Sequence, residues 1–217
     1  VFFSVKPKQN LSSGTEIRNN ASIQFEIFSQ LITNTTINII DEIAPSCTMN
    51  SLPSVTNSLT INISWNGNDP VGEITSYTIF ASVDNTGFNP LISETSYTDA
   101  IFNGQEGRNY KFICIAKDTA GNVEVQDPTA EAETTIPAPV LTFTGTPILG
   151  NLITFNLNSV NVNKSYILAM ALGNTPGILL SDNRTIPLNP NGLFMLSVFY
   201  SNLIGLSNSI GTLNTLG

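Results

Sequence analysis

Apolar residues along this chain recur at every second position, and the repeat holds through most of its length. "ASIQFEIF" sets Ile23, Phe25 and Ile27 on one side, and "SLTINISW" does the same with Leu59, Ile61, Ile63 and Trp65. "SYTIFASV" aligns Tyr77, Ile79 and Ala81, and "NYKFICIAKD" aligns Tyr110, Phe112, Cys114 and Ala116. A period of two is the signature of a strand with one buried and one wet face, and each run is bounded by Gly, Pro, Asn or Asp. No stretch shows a capped 3.6-residue period, so the expected fold class is all-β.

Proline joints divide the strands. "DEIAPS" (41–46) closes one strand-rich run and "TTIPAPV" (134–140) closes the next. Proline removes a ladder donor and stiffens a short connection, so these read as taut linkers. Three regions are expected. Residues 1–42 hold the closing strands of an incomplete β-sandwich, residues 43–136 a full sandwich, and residues 137–217 a β-rich module. The last region has strand candidates "VLTFTG", "LITFNLN", "YILAMAL", "GILL" and "LFMLSVFY". Both ends read as cuts in a longer polypeptide, and any export signal is expected outside this sequence.

Composition narrows the chemistry. Only 11% of the 217 residues are charged, with 41% hydrophobic, so Asn, Ser and Thr must cover the surface. A net charge of −8 with 8 basic residues disfavours nucleic acid, whose phosphates need clustered Lys and Arg. There is no histidine, which removes imidazole acid–base catalysis, Ser-His-Asp and Cys-His nucleophiles and His-ligated metals. Two cysteines, Cys47 and Cys114, are too few for a structural zinc site. They pair as a disulfide, worth roughly 4 kcal/mol in the chain-entropy model, or stay as two buried thiols; the sequence leaves both open. No apolar run reaches the length of a transmembrane helix.

The stretches "LTINISWNGNDPVGEITSYTIFASVDNTGFNPL" and "FNGQEGRNYKFICIAKDTAGNVE" together carry a resemblance. A core Trp (Trp65), a Gly-x-x-Tyr (Gly107, Tyr110) and Asp-x-Ala-Gly-Asn (Asp118 to Asn122) occur in that order. The combination resembles fibronectin type III-like and bacterial immunoglobulin-like modules of large secreted or cell-surface proteins. The resemblance implies tandem β-sandwich modules, with the flanks similar to other β-modules of secreted proteins. It also implies that Asp side chains at a joint can hold calcium.

Individual residues sort accordingly. In "KFICIAKDTAGNVEVQ" Asp118 is placed to accept backbone amides, and Gly121 and Asn122 tolerate positive φ, as a hairpin requires. Asp69, Glu73 and Asp118 are the calcium candidates, with Glu124 and Asp127 near them; no D-x-D-x-D spacing supports them. Trp65 is in phase with the core, and Tyr110 fits a tyrosine corner. Glu131 and Glu133 read as a solvated face, not as the paired carboxylates of a glycosidase. Six N-x-S/T sequons, at Asn10, Asn20, Asn34, Asn62, Asn163 and Asn183, are glycosylation candidates.

The expected role is structural and non-enzymatic, with no cofactor unless calcium. The chain is read as a spacer, adhesion element or fibre subunit of a secreted or cell-surface protein. Expected partners are other copies or neighbouring β-modules, joined by strand pairing, and surface glycans. The alternative is a carbohydrate-binding or spacer region attached to a secreted hydrolase.

Overall fold

A computed structural model describes residues 6–27, 29–125, 129–146, 153–161, 165–167, 178–179, 185–186 and 210–212. The described residues are all-β, with no helix among them and therefore none long and apolar enough to cross a membrane. The chain divides into two compact units, residues 1–56 with 60–136 and residues 57–59 with 137–217. Each is described by itself.

The first unit opens with a two-stranded ribbon. Strand β1 (Glu16–Asn19) pairs antiparallel with β4 (Thr36–Ile39), and within that loop β2 (Ser22–Ile23) pairs with β3 (Leu31–Ile32). The alternating run expected over 21–28 is shorter than its pattern: pairing stops at Ile23 and the chain turns at Glu26, whose φ is +45°. Among the described residues no sheet covers the ribbon, and Ile23, Phe25, Ile27, Leu31, Ile32, Ile37 and Ile39 are exposed.

The sandwich follows. Its three-stranded sheet runs β5 (Ser46–Met49), β6 (Thr60–Asn68), β9 (Asp99–Asn103). Its four-stranded sheet runs β11 (Ala132–Ile136), β10 (Arg108–Asp118), β7 (Ile74–Val83), β8 (Asn89–Thr95), every pair antiparallel. Between β5 and β6 the chain changes sheets: the amide of Thr56 donates to Thr135 O and that of Thr135 to Ser54 O, so residues 54–56 run parallel beside β11. Pro53 ends the ladder of β5 at the crossing.

The predicted inward faces supply the core. Ile61, Ile63 and Trp65 from β6 meet Tyr77 and Ile79 from β7, and Tyr110, Phe112, Cys114 and Ala116 from β10. Trp65 is 1% exposed and packs edge-on to Tyr77, centroids 6.2 Å apart. Phe102 stands between Tyr110 and Phe112 in two further edge-to-face contacts, at 4.9 and 5.2 Å. Burying each such aromatic contributes about 1.5–3 kcal/mol before conformational entropy is subtracted. The Tyr110 hydroxyl accepts the amide of Gln105 at 2.7 Å, which is the corner expected of it.

The second unit contains β12 (Val140–Thr144) paired with β13 (Thr154–Asn158), with Phe143 opposite Phe155. Short pairings join β14 (Ser165–Ile167) to β17 (Ile210–Thr212) and β15 (Ile178–Leu179) to β16 (Thr185–Ile186). The "LFMLSVFY" candidate lies outside the described residues.

Candidate metal centre

Three aspartates converge at one end of the sandwich. Asp41 comes from the linker after β4, Asp69 from the loop between β6 and β7, and Asp118 from the end of β10. One carboxylate oxygen of each lies within 4.8 Å of the others.

The local folding of each loop explains the aim of its side chain. Asp69 Oδ1 accepts the amides of Val71 and Gly72 at 3.0 and 3.1 Å, closing a tight turn that Pro70 preorganises. Asp41 Oδ1 accepts the amide of Ile43 at 3.0 Å in the same manner. In both, one oxygen holds the loop and leaves Oδ2 directed away from it. Asp41 Oδ2 and Asp69 Oδ2 are shut off from solvent and have no hydrogen-bond partner. Buried carboxylate oxygens without partners cost several kcal/mol if nothing compensates them.

Asp118 is 2% exposed and works harder. Its Oδ1 accepts the amides of Gly121 and Asn122 at 2.7 and 2.8 Å, and its Oδ2 accepts Asn122 Nδ2 at 2.8 Å. Burial pushes its carboxyl up, but the side-chain and backbone bonds of Asn122, with the amides of Gly121 and Ala120, outweigh that and hold it below the usual aspartate range. Gly121 takes the positive φ of the turn, at +98°. Asn122 does something else: its Nδ2 also reaches Asp41 O at 3.2 Å and Ile43 O at 3.4 Å, gripping the linker backbone.

Gly72 completes the enclosure. A Cβ there would stand 2.9 Å from Asp41 Oδ2 and 3.1 Å from Asp69 Oδ2, so glycine keeps the space beside the carboxylates open. None of the four ion pairs among the described residues reaches this cluster. Like charges 4 Å apart repel by about 1 kcal/mol in bulk water and about 4 kcal/mol near a protein surface. An all-oxygen set with unpartnered, buried donors fits a hard divalent cation, and calcium above the rest because it takes carboxylates and carbonyls in irregular numbers.

The sequence candidates are thus partly reassigned. Asp69 and Asp118 are in the cluster. Glu73 is replaced by Asp41 and contributes its main-chain carbonyl to Thr119 instead, at 2.9 Å. Asp127 lies outside the described residues. Glu124 and Glu131 are not in the cluster and accept strand amides instead, Glu124 those of Cys47 and Ala116 and Glu131 that of Met49. Glu131 departs from the solvated face expected of it: its Oε2 accepts the amide of Met49 at 2.8 Å. Glu133 is exposed and faces Lys111 and Asn109.

Cys47 and Cys114 form a disulfide, with their Cα atoms 5.8 Å apart, tying the two sheets together. Trp65 is core, with no face open for stacking. Asn10, Asn20, Asn34 and Asn62 are exposed, while Asn163 and Asn183 lie outside the described residues. Comparison with known proteins adds no further identification, because no family model, curated protein or solved structure matches this chain.

Proposed function

We propose that this chain is a structural part of a secreted or cell-surface protein, a spacer, adhesion element or fibre subunit whose sandwich is stiffened by a bound calcium ion. The observation that carries the reading is the trio Asp41, Asp69 and Asp118, with two buried, unpartnered oxygens beside Gly72. Asp41 belongs to the linker and the other two to the sandwich, so an ion held by all three fastens the entering chain to the module.

Three further features support the reading. The strand order β5-β6-β9 over β11-β10-β7-β8, the core Trp65 and the Tyr110 corner agree with a fibronectin type III-like or immunoglobulin-like module. The Cys47–Cys114 bridge favours an oxidising compartment. The carboxylates of Asp41, Asp69 and Asp118 are each fixed in place by backbone amides, which suits them to act as ligands. Asp41, Asp69 and Asp118 would hold the ion, and the ion supplies the charge compensation that the three carboxylates lack.

Calorimetric titration with Ca²⁺ tests this. The expected result is one site per chain and a rise in melting temperature. Asp41→Asn is expected to weaken binding at least tenfold with little effect on the ion-free melt. No heat and no shift at millimolar Ca²⁺ would overturn the reading.

A further inference from the structure

A second set of carboxylates does something unrelated to metal. Strand β5 pairs through its backbone on one edge only, with β6. On its other edge the amides of Cys47 and Met49 point towards β10, and no main-chain ladder forms there among the described residues. Two glutamates fill the gap. Glu124 accepts Cys47 N on Oε1 and Ala116 N on Oε2, both at 3.0 Å. Glu131 accepts Met49 N at 2.8 Å and the amide of Cys114. Each carboxylate therefore bridges one amide of β5 and one of β10, taking the place of a missing strand. The Cys47–Cys114 bond lies between them, with Cys114 Sγ 3.6 Å from Glu131 Oε2.

Three kinds of bond thus hold β5: a four-residue ladder, two carboxylates and one covalent link. Only the last cannot open and reclose by thermal motion. While it is intact, residues 1–49 are tied to their own β10 and cannot leave the module. Cleaved, they are held by noncovalent bonds alone, and the loop 50–53 beyond β5 is a short hinge containing Pro53.

We infer that the β5–β10 seam is a redox lock on strand exchange, and that once the bridge is reduced the segment up to Met49 trades places with the same segment of a second copy of this chain. The occupant follows from the shape of the vacated place. It offers the free edge of β6, two carboxylates awaiting two amides at alternate positions, and a core recess for two alternate side chains. Ser46–Met49 of a second copy meets every one of these demands with the bonds already described, so exchange leaves no buried group unpaired.

The chemistry balances. A dithiol reductant gives two electrons and two protons to the Cys47–Cys114 bond, yielding two thiols and its own disulfide. A low-molecular-weight disulfide later takes them back, forming a bond between whichever Cys47 and Cys114 are then adjacent. If exchange has occurred, that bond joins two chains.

The test uses the full chain. It is reduced with a dithiol at several concentrations, checked for retained β-sheet by circular dichroism, reoxidised, and run on a non-reducing gel. A covalent dimer whose share rises with concentration is expected, with none from the sample never reduced. In parallel, the Cys47→Ala/Cys114→Ala variant is expected to form a folded, concentration-dependent dimer by light scattering. Return of the intramolecular bridge alone, a strictly monomeric double variant, or loss of the fold on reduction would each overturn the inference.

Discussion

Strands β4 and β6 are written in the same alternating hand and meet different fates. In β6, Ile61, Ile63 and Trp65 are buried under the facing sheet. In β4, Ile37 and Ile39 alternate just as regularly and remain 46% and 51% exposed. The difference is the presence of a second layer. A two-residue period gives a strand two faces, but only a facing sheet converts the apolar one into stability. Among the described residues the ribbon is two-stranded and no sheet of its own unit pairs with it, so its side chains gain little from being in phase.

The largest effect that sharpens this contrast is expected at Trp65. Trp65→Ala should cost about 3–5 kcal/mol in urea unfolding, by lost burial and the cavity left behind. Ile37→Ala in the ribbon should cost no more than about 0.5–1 kcal/mol, since nearly half of its surface is already wet. Equal losses at the two sites would mean that the ribbon is covered in solution, and the comparison would collapse.

Next comes the end of β10. Asp118→Ala removes the acceptor of two turn amides and the partner of Asn122, and should cost about 1–3 kcal/mol without added cation. The expected readout is a lower denaturation midpoint together with faster amide exchange at Gly121 and Asn122. The ribbon turn at Glu26 has no comparable side-chain network among the described residues, and Glu26→Ala should shift the midpoint by less than about 0.5 kcal/mol.

A pH series probes two carboxylates within the sandwich more gently. Burial, with Glu124 nearby, pushes Glu131 up although the amides of Met49 and Cys114 pull it down. A raised folded value means the native state binds the proton more tightly. Its contribution is therefore full below the ordinary glutamate value of about 4.3 and is lost as pH rises through the raised one. Asp84 runs the other way, held low by the amide of Asn109 and by Arg108. Its contribution is present above an ordinary aspartate value of about 3.9 and is lost as pH falls. Melting temperature is thus expected to climb modestly as pH falls from neutral towards about 4.3 and to drop below about 4. Glu131→Gln should flatten the climb, and a climb that survives this change would assign it to another group.

The smallest expected effect is at the surface. Lys117 and Glu94 stand 3.8 Å apart and largely solvated. Lys117→Gln should change stability by less than about 0.5 kcal/mol, in low or high salt.

These differences mark where the residues speak for themselves. Strands β6, β7 and β10 were legible because their inward residues recur at a fixed spacing, and Tyr110 and Asp118 because turn chemistry is local. Asp41 was not legible. It lies in a linker with no motif, and its meeting with Asp69 and Asp118 is a fact of three loops packing together. Glu131 misleads for a related reason: in an extended segment a glutamate reads as solvated, and only the missing strand beside β5 makes an inward carboxylate useful. The shortened β2 shows the converse, since alternation over 21–28 continues beyond the point where a partner strand exists to pair with it.

The link between Cys47 and Cys114 also governs how the chain answers to pulling. Tension entering through the segment before β5 crosses the sulfur bond directly into β10, bypassing a sequence separation of 67 residues. At about 3.4 Å per extended residue, roughly 230 Å of slack stays locked inside the loop however hard the ends are drawn. An oxidised copy is a short tether; a reduced one can pay out that hidden length.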